Sequence, residues 1–122
     1  MKIAIYGPEY NERSKTTLFT LAEFLSKKKA HVLFDVAFFD SIVKHSELKI
    51  ESYGFETFEI LDCSYDLLIS VGGDGTILRA ITRVRNLDIP IVGINTGHLG
   101  FLSTIKTNAI ESAMTQIFEG QY

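Results

Sequence analysis

The chain has 122 residues, a formal net charge of −3 and one cysteine, Cys63. That length holds one domain with a real core but not two, and the acidic balance offers no basic face for nucleic acid. A lone thiol excludes an internal disulfide framework and a cysteine-ligated zinc site. No apolar run approaches the roughly 20 residues that span a bilayer. The opening Met1-Lys2-Ile3-Ala4-Ile5-Tyr6 enters a strand-like run without a signal-peptide layout. No membrane partner and a cytoplasmic location are therefore expected.

In chain order, strands alternate with helices. Residues 3–6 read as a first strand closed by Gly7-Pro8. The following loop reaches Ser14, a candidate N-cap, and Leu18, Leu21, Ala22 and Leu25 then recur at helical spacing. Lys27-Lys28-Lys29 falls where a helix C-terminus favours cations and reads as a solvated helix end. Residues 31–34 read as a second strand, and residues 36–48 can form a second helix through Val36, Phe38, Phe39, Ile42 and Val43. Residues 49–64 read as a connection with one short strand at most. A strand over 67–71, a helix over 76–85, and a strand over 91–94 opened by Pro90 follow. Ile110, Ala113, Met114 and Ile117 lie on one face of a last helix over 108–118. Such alternation implies a Rossmann-like, three-layer α/β sandwich around a mainly parallel sheet.

The most informative stretch is Leu67-Leu68-Ile69-Ser70-Val71-Gly72-Gly73-Asp74-Gly75-Thr76. Its first half is nearly all apolar, as expected of a strand buried on both faces. Its second half is a glycine-rich turn that opens a helix carrying Ile77, Leu78, Ile81 and Val84 as an apolar stripe. Ligands of open α/β sheets bind at that carboxyl edge. Glycines let a ligand approach the main chain closely, and with Thr76 as N-cap the first-turn amides suit a phosphate. A fixed negative charge beside phosphate is unfavourable unless Asp74 binds a metal or takes a proton from an attacking hydroxyl. A tight βα turn with Asp74 capping the helix accounts for the same string without a ligand.

A second segment, Gly93-Ile94-Asn95-Thr96-Gly97-His98-Leu99-Gly100-Phe101-Leu102, follows another apolar strand and is expected on the same sheet edge. Asn95 can hydrogen-bond a ribose hydroxyl or simply shape a turn. Phe101 can face a base or belong to the core. His98 has no neighbour in sequence to orient it and reads as a surface or capping residue.

Together, the two segments resemble the NAD kinase family, also described as inorganic polyphosphate/ATP-NAD kinase. The Gly-Gly-Asp-Gly-Thr turn alone is shared with diacylglycerol, sphingosine and phosphofructo-kinases; the second segment is more particular to NAD kinases. The whole chain looks like the N-terminal domain of such an enzyme. The resemblance implies phosphoryl transfer from ATP or polyphosphate to the 2′-hydroxyl of the adenosine ribose of NAD, giving NADP, with a divalent cation such as Mg²⁺. It implies that Asp74 accepts the hydroxyl proton, and that Gly72, Gly73, Gly75 and Thr76 shape the phosphate-facing turn. Arg79 would help bind the dinucleotide, Phe101 would line the adenine pocket, and Asn95 would shape the loop. The partners implied are small nucleotides.

The departure from the family is size. Its members continue into a second, β-rich domain that carries an Asn-Glu or Asn-Asp pair holding the ribose. Here Asn11-Glu12 is far upstream, in the first loop. Residues 1–122 are therefore expected to be one N-terminal domain of a longer enzyme, inactive or nearly so alone, and self-associating through exposed apolar surface. A lipid kinase catalytic domain leaves the second segment unexplained and finds no basic or amphipathic membrane face. A non-catalytic nucleotide-binding module is the third reading.

Overall fold

A computed structural model describes residues 1–96 and 105–119. Among the described residues six strands form one sheet: β1 (Lys2–Tyr6), β2 (His31–Asp35), β3 (Glu56–Phe58), β4 (Leu67–Gly72), β5 (Ile91–Asn95) and β6 (Ile105–Lys106). Their spatial order is β3-β2-β1-β4-β5-β6, and each neighbouring pair is parallel. Among the same residues, the helices α1 (Lys15–Ser26), α2 (Val36–His45), α3 (Asp74–Val84) and α4 (Ile110–Phe118) accompany them. The expected Rossmann-like α/β sandwich is what the chain adopts.

Alternation along the strands sorts the core into two faces. Ile3, Ile5, Val32, Phe34, Leu67, Ile69 and Val71 pack with Leu18 and Leu21 of α1, Phe38 and Ile42 of α2, and Ile110 and Met114 of α4. Ala4, Tyr6, Leu33 and Leu68 look the other way, toward Ala80 and Val84 of α3 and toward Leu61, Tyr65 and Ile89. Strands covered on both sides need apolar residues at successive positions, and Ile3, Ala4, Ile5, Leu68 and Ile69 are fully buried. Each large one of these contributes about 1.5–3 kcal/mol of burial.

Several expectations are refined. The helix predicted over 36–48 ends at His45, and its start is fixed by Asp35, whose carboxylate accepts the Phe38 amide at 3.1 Å. Ser14 precedes α1, but its hydroxyl donates to the Asn11 carbonyl at 2.7 Å, closing the short 3-10 turn before the helix. The lysine run does follow the end of α1. The connection over residues 49–64 holds the one short strand, β3, and a 3-10 turn at Ile50–Tyr53. The apolar stripe expected on α3 is split: Ile77, Ala80 and Val84 are buried, while Leu78 and Ile81 are about half exposed.

Candidate active site

Strand order determines where the crevice opens. β1 and β4 are neighbours, with Ile5 opposite Ile69 and Tyr6 opposite Ser70. The chain leaving β1 passes to α1 on one face, and the chain leaving β4 passes to α3 on the other. Two connections departing to opposite faces leave a gap at the carboxyl ends of the strands, the usual ligand position in doubly wound sheets. Gly7 and Gly72-Gly73 border that gap.

The turn after β4 is built differently from the sequence expectation. α3 begins at Asp74, with Gly73 at the N-cap position and Thr76 in the third helical position. Thr76 is therefore not the cap. Its amide turns back to the Gly73 carbonyl at 3.1 Å, as does that of Ile77 at 3.2 Å. The first turn of α3 thus starts two residues before Thr76, at Asp74. Asp74 itself is half-buried.

The three glycines of the turn have separate reasons. Gly72 has φ +156°, and a Cβ built on it would stand 2.9 Å from the Thr76 Cβ and closer still to its hydroxyl. Thr76 is buried beneath it, so Gly72 is a requirement of the fold. Gly73 has φ −109°, and a Cβ there meets nothing within 4 Å. Gly75 lies in the helix, where a Cβ would meet only Arg79 Nη1, at an ordinary 3.6 Å. Nothing in the described fold requires a glycine at 73 or 75, although glycine in a helix costs about 1 kcal/mol against alanine. Their missing side chains leave open space beside the first amides of α3. The Arg79 guanidinium, exposed and one turn further on, folds back toward that space.

The neighbouring strand closes one side. Asn95 is the last residue of β5, buried, and in register with Gly72; the Thr96 amide donates to the Gly72 carbonyl at 3.3 Å. The two sequence segments are thus joined at their strand ends. Phe101 and His98 lie outside the described residues. On the other side, Gly7 packs so tightly on Phe38 that a Cβ would fall 2.5 Å from its ring, and the Tyr10 amide donates to Ser41 Oγ at 2.9 Å. The loop from β1 is therefore held against α2.

Sequence reasoning missed Asp35 and Arg83. Arg83 Nη2 donates to Asp35 Oδ1 at 3.1 Å and approaches the Glu59 carbonyl at 3.5 Å, while its guanidinium carbon lies 5.1 Å from the centre of the Tyr6 ring. One arginine of α3 thus touches the carboxyl ends of β1 and β2 and the residue after β3. The Asp35 cap is a signal readable before a helix; the pairing, 48 residues apart, has no local signature. Beside this pair lies a groove of about 680 Å³. Among the described residues, no helix is long and apolar enough to cross a membrane, and no group of three or more His, Cys, Asp or Glu could hold a metal.

The arrangement is matched by known proteins. The family model described as the ATP-NAD kinase N-terminal domain matches residues 3–122. The NAD kinase of Christiangramia forsetii is 43% identical over 122 residues, covering 100% of this chain and 42% of that protein. The NAD kinase of Flavobacterium psychrophilum is 38% identical with the same coverage. A crystal structure of yeast NADH kinase complexed with NADH shares the fold, with a TM-score of 0.65 at 20% identity, over 97% of this chain and 38% of that one. The chain spans about two fifths of the length of the curated relatives it matches. On the family match and the whole-chain identity, the chain belongs to the ATP-NAD kinase family.

Proposed function

We propose that the protein of which residues 1–122 form the N-terminal domain phosphorylates the 2′-hydroxyl of the adenosine ribose of NAD, with ATP or polyphosphate as donor, giving NADP. The observation that carries this reading is the open space at Gly73 and Gly75, for which the fold itself supplies no reason. A phosphate placed there meets the N-terminus of α3 at Gly75 and the positive end of the α3 dipole. Arg79 adds a cation that folds toward the same place.

Asp74 begins α3 and stands where the attacking hydroxyl would approach. In the step proposed, the ribose 2′-oxygen forms a bond to the terminal phosphorus, the bond from that phosphorus to its bridging oxygen breaks, and Asp74 takes the hydroxyl proton. Asn95, buried at the strand end, shapes the turn rather than reaching the ligand, and Phe101 lines the adenine side. A divalent cation such as Mg²⁺ would be held mainly by donor phosphates and water. It would neutralise charge on the transferring group.

A second, β-rich domain completes the ribose site in this reading, so the isolated chain is inactive or nearly so. Exposed Phe19, Leu78 and Ile81 support self-association, and the location proposed is the cytoplasm. The test compares NADP formation by residues 1–122 with that of a chain extended to the length of the relatives. Turnover of NAD to 2′-phosphorylated product by the longer chain alone is expected. A longer chain that leaves NAD untouched and phosphorylates a lipid instead overturns the assignment.

A further inference from the structure

Alternation along the strands places one unassigned cation on the same side of the sheet as the Asp74 turn. Val71, Ile94 and Ile105 pack toward α1, α2 and α4. The residue after each, Gly72, Asn95 and Lys106, therefore looks toward the face covered by α3. The three also share one row: Gly72 is in register with Asn95, and Asn95 with Lys106. They end β4, β5 and β6, so the row lies along the carboxyl edge from which α3 starts. Neighbouring strands are about 4.8 Å apart, which puts Lys106 about 10 Å across the sheet from Gly72. A lysine's flexible four-carbon stem covers much of that span.

We propose that Lys106 binds a phosphate group of the nucleotide held at the Asp74 turn, as a second cation beside Arg79. The inference rests on the kinase reading and adds to it a binding residue. Lys106 is exposed, and among the described residues it makes no ion pair. A nucleotide brings several negative charges to a place that already carries the Asp74 carboxylate. Arg79, folded toward Gly75, offsets part of that charge, and α3 adds its dipole. Lys106 supplies a further cation from the side away from β1, beyond Asn95. A compact ammonium meets a phosphate as a point charge and demands no fixed geometry. Acceptor and donor of the proposed reaction both carry that chemistry. β6 is last in the strand order, and a lysine on an edge strand also deters pairing with other chains. That role alone leaves nucleotide affinity untouched, so the two are separable.

The test uses a chain extended to the length of the relatives and reads equilibrium affinity by calorimetry, with NADP and ADP as separate probes. Lys106→Gln is expected to weaken binding of at least one probe by about tenfold, while Lys106→Arg stays within about threefold of the parent. Lys29→Gln removes the same charge at an exposed position just before β2, at the opposite edge of the sheet, and is expected to change neither affinity. A loss confined to NADP gives the contact to the acceptor's phosphates, and one confined to ADP gives it to the donor's. The loss should shrink as salt rises, because the charge is exposed. Affinities of Lys106→Gln for both probes within about twofold of the parent overturn the inference and leave the kinase reading intact. Equal losses in Lys106→Gln and Lys29→Gln reduce the effect to net charge and overturn it as well. A parent protein that binds neither probe overturns the kinase reading itself, and the inference with it.

Discussion

Gly72 and Thr76 interlock: the hydroxyl and Cβ of the buried threonine fill the space where a side chain on residue 72 would stand. The last residue of β4 and the first turn of α3 are thereby locked four residues apart, and Asp74 lies between them. Gly72→Ala should therefore destabilise the chain by about 1–3 kcal/mol, from both the left-handed backbone and the overlap. Thr76→Ala added to it should return part of that loss. Urea midpoints around a double-mutant cycle measure the coupling, and simple additivity would show that the two residues do not compete for space.

Gly75→Ala should do the opposite. A Cβ at residue 75 meets only the end of a flexible arginine, so the folded chain should gain about 0.5–1 kcal/mol. In the full-length protein the same change should lower turnover, because the methyl enters the space assigned to phosphate. Stability is read by urea unfolding and activity by NADP formation. A gain in stability without loss of rate would mean that no ligand comes close at that position.

Arg83 and Asp35 should prove coupled. The aspartate side chain is 8% exposed and the arginine 36%, so removing the arginine leaves a nearly buried carboxylate without its cation. Arg83→Leu is expected to cost about 1–3 kcal/mol, the range for a pair between surface and interior. Asp35→Ala loses the α2 cap as well, about 1 kcal/mol more. The double variant should be less destabilised than the sum. Equal and additive losses would reduce the contact to an incidental one.

At alkaline pH, Tyr65 and Tyr53 should resist ionisation. Burial raises Tyr65 above the ordinary 10.0, and the charges of Asp62 and Glu56 add to it. Burial also raises Tyr53, followed by the charge of Glu23 and the hydrogen bond to it. Both groups titrate later in the folded chain than in the unfolded one. Their contribution to stability is whole below about pH 10 and falls as pH rises through the folded values. Phenolate absorbance should show a late-titrating component that Tyr65→Phe diminishes; a titration identical in folded and unfolded chain would remove the effect.

Much of the fold was readable because the central strands are covered on both sides and so cannot alternate: Ile3-Ala4-Ile5 and Leu67-Leu68-Ile69 are apolar throughout. The helix stripe of Leu18, Leu21, Ala22 and Leu25 is buried as its spacing predicts. The start of α3 differs from the sequence pattern: threonine is a good cap in general, whereas here the glycine before Asp74 takes that place and Thr76 is spent beneath Gly72. Leu78 and Ile81 belong to the apolar stripe read from the sequence yet are about half exposed, because periodicity alone cannot tell which side of a stripe faces the sheet. The Asp35–Arg83 pair and its groove were invisible, being made by the packing of α3 across strands distant in sequence.

Replacing Asp74 by asparagine in the full-length protein tests most directly whether that residue takes the proton. The amide keeps the size and the helix start but cannot act as a base. Turnover should fall by about 10²- to 10⁴-fold, with NAD affinity nearly unchanged. Turnover kept within about tenfold of the parent enzyme, at unchanged NAD affinity, would contradict a proton-accepting role for Asp74.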